Sequence, residues 1–333
     1  MSKIDRFSSV SGGSITAAVL AANWSKLEFD PGGVASNFVD AVVAPLRAMA
    51  GTDVDMAAII SGMLLPAKSI SDRVAAAYRK HLFGDTTLQD LPDQPRFVFN
   101  ATNLESGVLF RFSKPYLADY RVGQVLKPRL ALASAVAASS AFPPVLSPCR
   151  LDLAGHNWTT NKGNDLTSAG YRSKIKLSDG GVYDNLGVET AWKLYKTILV
   201  SDAGGHVADE PDPASDWVRQ TTRVLSLIDN QVRSLRKRQV IGSLTARRRT
   251  GMYVGIRSSV ADFPVWVRKA KPGVTQRLAG LPTRLAAIEE TAQERLINWG
   301  YVICDAGLRS HVLADNLHDA PGSALPYPQN PLE

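Results

Sequence analysis

The feature that most constrains this chain is the way its hydrophobic period changes along its length. Arg96-Phe-Val-Phe-Asn-Ala-Thr102, Val108-Leu-Phe-Arg-Phe112, Lys174-Ile-Lys-Leu-Ser-Asp179, Thr197-Ile-Leu-Val-Ser201 and Met252-Tyr-Val-Gly-Ile-Arg257 are short and apolar, and several are bounded by turn residues. They read as strands, the first two joined by a turn through Glu105-Ser-Gly107. Helical spacing covers Gly13 to Trp24, about Val34 to Met49, Val54 to Leu65, Ile70 to Phe83, and Pro128 to Ala141, which Phe142-Pro-Pro144 stops. Further helices are expected through Glu189 and Leu194, over residues 216 to 243, and over about Leu285 to His311. Strands alternating with helices imply an α/β fold, with a largely parallel sheet covered on both faces.

The 333 residues suffice for a sizeable core, in one large domain or two smaller ones. The longest apolar run, Met56 to Ala67, holds about a dozen residues, short of the roughly 20 a spanning helix needs. The start, Met1-Ser-Lys-Ile-Asp-Arg-Phe7, lacks the apolar core of a signal peptide, and a cytoplasmic location is expected. Cys149 and Cys304 form no metal-ligand spacing and read as free thiols. The stretch after His318 is rich in Pro, Gly and Asn and is expected to be disordered.

Charge is unevenly placed. Between Asp229 and Asp262 there is no acidic residue, yet Arg233, Arg236, Lys237, Arg238, Arg247, Arg248, Arg249 and Arg257 fall there and exceed the net charge of +7. This 233–257 stretch is either a solvated helix face or a patch for peripheral contact with an anionic membrane. Nucleic acid fits poorly, because no aromatic residue interleaves with the arginines before Tyr253. Just upstream and overlapping, Trp217, Val224, Ile228, Val232 and Leu235 recur at one-face helical spacing.

Ser8-Ser9-Val10-Ser11-Gly12-Gly13-Ser14 leads straight into a helix. This is the G-x-S-x-G elbow with Ser9 in place of the first glycine. Small neighbours suit a strained turn, and Gly13 is expected to let the helix approach the preceding strand. The helix N-terminus favours an anion beside Ser11, and the Gly12 amide is the natural first oxyanion donor. An ordinary N-cap turn would read the same way. A P-loop would not, since its Lys-Ser/Thr ending is absent.

A serine hydroxyl needs a base. Asp179 stands at a strand's C-terminal end, where ligands gather in open α/β sheets, and Gly180-Gly181 keeps its surroundings clear. Asp184 is the local rival, but it lies in or beside the next helix. Helix-capping by Asp179 is the plain alternative. A histidine triad would draw on His81, His156, His206, His311 or His318, of which His206 and His311 fit the chain order Ser…Asp…His.

Ser9-Val-Ser-Gly-Gly-Ser14 together with Asp179-Gly-Gly181 resembles the patatin-like phospholipase family, over roughly residues 4 to 315. Asn100-Ala-Thr-Asn103 with Gly107, Ala137-Ala-Ser-Ser-Ala-Phe-Pro-Pro144 and Asp184-Asn-Leu-Gly187 support the likeness. The resemblance implies a three-layer α/β/α sandwich as one domain over 1–317, with 318–333 a tail. It implies a Ser11–Asp179 dyad without histidine, hydrolysis of phospholipid or other acyl-ester lipid, and no metal or organic cofactor. The family also carries a first strand and a glycine-rich oxyanion loop upstream of the elbow, whereas the ten residues before Ser11 hold no Gly-Gly-Gly. The expectation is therefore an N-terminally truncated lipid acyl hydrolase, weak or inactive as it stands. A non-catalytic lipid- or protein-binding relative of the same fold is the alternative reading.

Overall fold

The computed structural model describes residues 1–52, 70–160, 163–205, 207, 209–282, 286–313, 322 and 324–333. The expected helix Val54 to Leu65, the apolar run Met56 to Ala67, and His206 and His318 lie outside them. The chain divides into two compact units, Met1–Ala191 with Leu285–Ala287, and Trp192–Arg284 with Ile288–Glu333.

The first unit is organised by β2 (Arg96–Asn103), whose Phe97, Val98, Phe99 and Ala101 are all buried. A meander follows it: β3 (Val108–Ser113), β4 (Tyr116–Asp119) and β5 (Gly123–Leu126). With β6 (Cys149–Asp152), β7 (Trp158–Thr159), β8 (Lys174–Asp179) and β1 (Arg6–Ser9) they form an eight-stranded sheet. Its order is β6-β8-β2-β3-β4-β5-β7, with β1 paired to β2. Helix α1 (Gly12–Asn23), α2 (Ala44–Ala50), α3 (Ile70–Tyr78) and α4 (Leu132–Ser139) accompany it. Helix α4 is mostly alanine and serine, so all of it but Ser134 can lie buried against β2 and β8.

The mostly parallel sheet expected from the sequence is not what forms. Among the described residues, β1–β2 is the one parallel pair of the larger sheet, and its other pairings are antiparallel. The reason lies in the connections. β2, β3, β4 and β5 follow one another through turns of two to four residues, and a parallel pair needs a crossover of about a dozen. The short β4 and β5 carry little hydrophobic signal, so the meander stayed hidden.

Registers matter for the site. β1 runs parallel to β2 from Arg6 opposite Arg96 to Ser9 opposite Phe99. The pairing stacks Phe7 on Phe97, with ring centroids 4.8 Å apart. β8 runs the other way and ends with Asp179 opposite Ala101. The C-terminal ends of β1 and β8 thus meet on β2, one on each side of Asn100.

In the second unit β9 (Thr197–Asp202) pairs parallel with β10 (Thr250–Gly255). α7 (Trp217–Thr245), numbered after the single turns α5 (Gly181–Asp184) and α6 (Glu189–Trp192), connects these two strands. α8 (Pro272–Ala279) and α9 (Glu290–His311) follow. Met252, Val254, Trp299, Val302 and Ile303 form its core. The last residues, marked for disorder by composition, are packed: Leu332 is buried in this core. Polar anchoring accounts for this. The Asn298 amide donates to the Tyr327 and Asn330 carbonyls, while Gln329 and Asn330 donate to the Glu294 carboxylate. Composition cannot show such partners.

Candidate active site

Val10 and Ser11 alone join β1 to α1, and the chain can turn that sharply only with unusual dihedrals at Ser11. Its φ of 53° and ψ of −135° lie in a region that a residue with a side chain enters at a cost of about 1–3 kcal/mol. Two backbone bonds hold the turn: the Ser11 N–H donates to the Ser139 carbonyl at 3.0 Å, and the Ser14 N–H to the Ser11 carbonyl at 2.9 Å. Ser11 occupies the N-cap position, yet its hydroxyl makes no capping hydrogen bond. This counts against the ordinary N-cap reading, in which the side-chain oxygen accepts from the helix amides. No acidic residue stands in the first turn of α1 to oppose its dipole.

Below the turn, buried serines tie α1 to α4. The Ser14 hydroxyl lies 2.7 Å from that of Ser139 and donates to Ser9 Oγ at 2.9 Å. Ser139 donates in turn to the Asn100 carbonyl at 2.7 Å. The Asn100 side chain, fully buried, donates to the Ser9 carbonyl at 2.9 Å and to Ser8 Oγ at 3.0 Å. It thereby fixes the last residues before the elbow.

Asp179 is 1 % exposed, with its N–H on the Ala141 carbonyl and its own carbonyl accepting from Thr102. One carboxylate oxygen accepts the Gly181 N–H at 2.7 Å. The Gly180 N–H donates to the Ser139 carbonyl at 3.2 Å, the same oxygen that holds the Ser11 amide. The two amide nitrogens are therefore no farther apart than those two bond lengths together. The elbow and the Asp-Gly-Gly turn are brought side by side by the end of α4.

The glycines divide their work differently from the sequence expectation. A Cβ on Gly180 would lie 2.8 Å from both the Asn100 carbonyl carbon and Val10 Cγ1, and closer still to the carbonyl oxygen. Only glycine lets this turn approach β2 and the elbow. One on Gly12 or Gly13 would meet nothing within 4 Å, so Gly13 is not what brings α1 to its strand. Those two glycines border open space, where their amides have no preceding helical turn to bond.

Asp184, the rival carboxylate, is buried in α5 and accepts the Glu189 N–H at 2.6 Å, which ties α5 to the start of α6. Gly187, at φ +64°, separates those two turns, and the helix expected through Glu189 and Leu194 is the short α6, which ends at Trp192. His81 is exposed in the turn Arg79–Phe83, His156 follows β6, and His311 ends α9 in the second unit, beside Phe263. Among the described residues no group of three or more His, Cys, Asp or Glu could hold a metal ion. Cys149 and Cys304 are free.

Sequence reasoning missed Tyr78. Its hydroxyl, 3.2 Å from that of Ser140, is pushed up to about 12 by burial, the Ser140 bond pulling back and the Asp179 charge adding to the rise. Nothing in the helical pattern of Ile70 to Phe83 marks that tyrosine. Asn100 and Ser139 do fall in segments that carry the family likeness, although their bracing roles depend on tertiary contacts.

Comparison with curated proteins finds no match to this chain. The family model for the patatin-like phospholipase matches residues 1–192, which hold the elbow, the Asp-Gly-Gly turn and the sheet between them. The chain therefore belongs to the patatin-like phospholipase family.

Proposed function

We propose that the chain is a lipid acyl hydrolase, of the phospholipase A, lysophospholipase or esterase kind, in which Ser11 is the nucleophile and Asp179 its base. The observation that carries this reading is the Ser139 carbonyl shared by the Ser11 and Gly180 amides. The strained backbone of Ser11 adds to it, because an inert turn has no use for a serine at such dihedrals whose hydroxyl caps nothing.

In the proposed cycle Ser11 Oγ attacks the ester carbonyl carbon while its proton passes to the Asp179 carboxylate. The Gly12 amide donates to the oxyanion, helped by the positive end of α1. Collapse expels the alcohol, which takes the proton back from Asp179, and leaves an acyl-serine. Asp179 then takes a proton from water, whose oxygen attacks the acyl carbon. The fatty acid leaves and Ser11 regains its hydrogen.

Hydrolysis of p-nitrophenyl butyrate and of phospholipid micelles by wild type and Ser11→Ala tests the proposal. The variant should lose at least about a thousandfold in rate. Equal rates would sink the assignment.

A further inference from the structure

From Trp217 to Leu235, α7 is turned inside out relative to an ordinary surface helix. Counting about 100° per residue, Trp217, Val218, Val224, Leu225, Ile228, Val232 and Leu235 fall within an arc of about 120°. All of them are exposed, Trp217 at 77 %, Leu225 at 60 % and Ile228 at 55 %. Over the same stretch the half-buried residues, Arg223, Ser226, Asp229, Asn230 and Arg233, occupy the opposite arc and are polar; that arc becomes apolar only farther on, at the buried Val240. The apolar stripe runs about 27 Å along the helix with no cover from its own unit.

The same face continues into a cleft of about 840 Å³. Gln239, Gly242 and Ser243 of α7 line it, at the azimuth of the stripe. Its charged lining residues are all cationic: Lys193, Lys196, Arg238, Arg248 and Arg249. Arg249 stacks over Trp192 at 4.1 Å and bonds the Trp192 and Tyr195 carbonyls, which fixes it in the wall. The helix itself carries Arg219, Arg223, Arg233, Arg236, Lys237 and Arg238 against Asp229 alone.

We infer that this face docks on an anionic lipid bilayer, the apolar stripe entering the headgroup boundary and the cationic cleft meeting lipid phosphates. Charge decides the occupant. A second copy of this chain would bring the same positive cleft or a stripe with no counter-charge. A bilayer with acidic headgroups offers apolar depth and negative charge together. The lipid-hydrolase reading gives such docking a purpose, but the binding itself does not depend on catalysis.

Sedimentation of the full chain carrying Ser11→Ala, with vesicles of phosphatidylcholine alone or mixed with phosphatidylglycerol, separates the two. Binding should require phosphatidylglycerol and weaken with added salt. Leu225→Glu with Ile228→Glu should lower the partition coefficient at least about tenfold. Arg238→Gln with Arg248→Gln should lower it roughly 10- to 30-fold. Neither pair should change hydrolysis of a soluble butyrate ester by the otherwise wild-type chain. Should the glutamate pair fail to fold, an environment-sensitive dye on Ile228→Cys should shift to the blue on the mixed vesicles. No binding to phosphatidylglycerol vesicles, or equal binding by the variants, would overturn the inference. So would a dimer in solution that the glutamate pair dissociates. Loss of ester hydrolysis in wild type would instead count against the hydrolase reading and leave the docking face standing.

Discussion

Replacing Gly180 by Ala should damage both the stability of the first unit and the reactivity of Ser11. The new methyl would stand 2.8 Å from the Asn100 carbonyl carbon and from Val10 Cγ1. Ordinary carbon contacts are about 3.5–4.0 Å, so the overlap is about an ångström on two sides at once. Neither side yields easily. Asn100 sits in the middle of β2, and Val10 follows directly from β1. Overpacking of this kind costs about 1–3 kcal/mol, which corresponds to roughly 3–10 °C in Tm for a unit of this size. The overlap is relieved by moving the Asp179–Gly181 turn away from the elbow, and a shift of about 1 Å at a reacting group can cost about a hundredfold in rate. Thermal unfolding and the rate of ester hydrolysis are the two assays. Gly13→Ala is the control: with nothing within 4 Å of the added methyl, it should leave Tm unchanged or raise it slightly. A Gly180→Ala chain as stable and as fast as wild type would refute the argument that this close approach positions Asp179.

Removing the brace at Asn100 (Asn100→Ala) takes away the side-chain donor to the Ser9 carbonyl and to Ser8 Oγ and should cost about 1–3 kcal/mol in urea unfolding, with slower labelling of Ser11. The Tyr78 hydroxyl rises from 10.0 to about 12 on folding, chiefly through burial. Because the folded value lies above the unfolded one, its contribution is whole below pH 10 and is lost as pH climbs through 12. Unfolding curves across that window should show about 2–3 kcal/mol lost in wild type beyond the loss in Tyr78→Phe. An equal loss in both would remove Tyr78 from the account. Burial lifts the Cys149 thiol to about 11, with a Ser71 bond pulling it down and Asp72 adding to the rise. It should therefore resist Ellman's reagent in the native chain at neutral pH and react once urea unfolds it.

Local signals marked the two candidate segments and left their assembly hidden. The Ser11 segment stands out because small residues must surround a two-residue turn from strand to helix. The strand ending at Asp179 shows in its alternation and in the two glycines after it. What the pattern could not give was which glycine matters. That depends on Asn100 and Val10, which lie 80 and 170 residues from Gly180 in the chain. β4 and β5 are four residues each, too short to carry a period, so the antiparallel meander stayed out of sight. In α7 the spacing from Trp217 to Leu235 was plain, but period fixes only that one face is apolar. It says nothing of whether that face turns inward, and here it turns out. The packed final residues had the composition of a loose tail because their anchors, Asn298 and Glu294, are on another element.

The central claim is that Ser11 is a nucleophile activated by Asp179. Trapping with a fluorophosphonate probe, read by intact mass and peptide mapping, tests it most directly. One adduct is expected on the Ser11 peptide, none in Ser11→Ala, and labelling slowed about 10²- to 10⁴-fold in Asp179→Asn. An adduct elsewhere, or Asp179→Asn labelling as fast as wild type in folded protein, would contradict it.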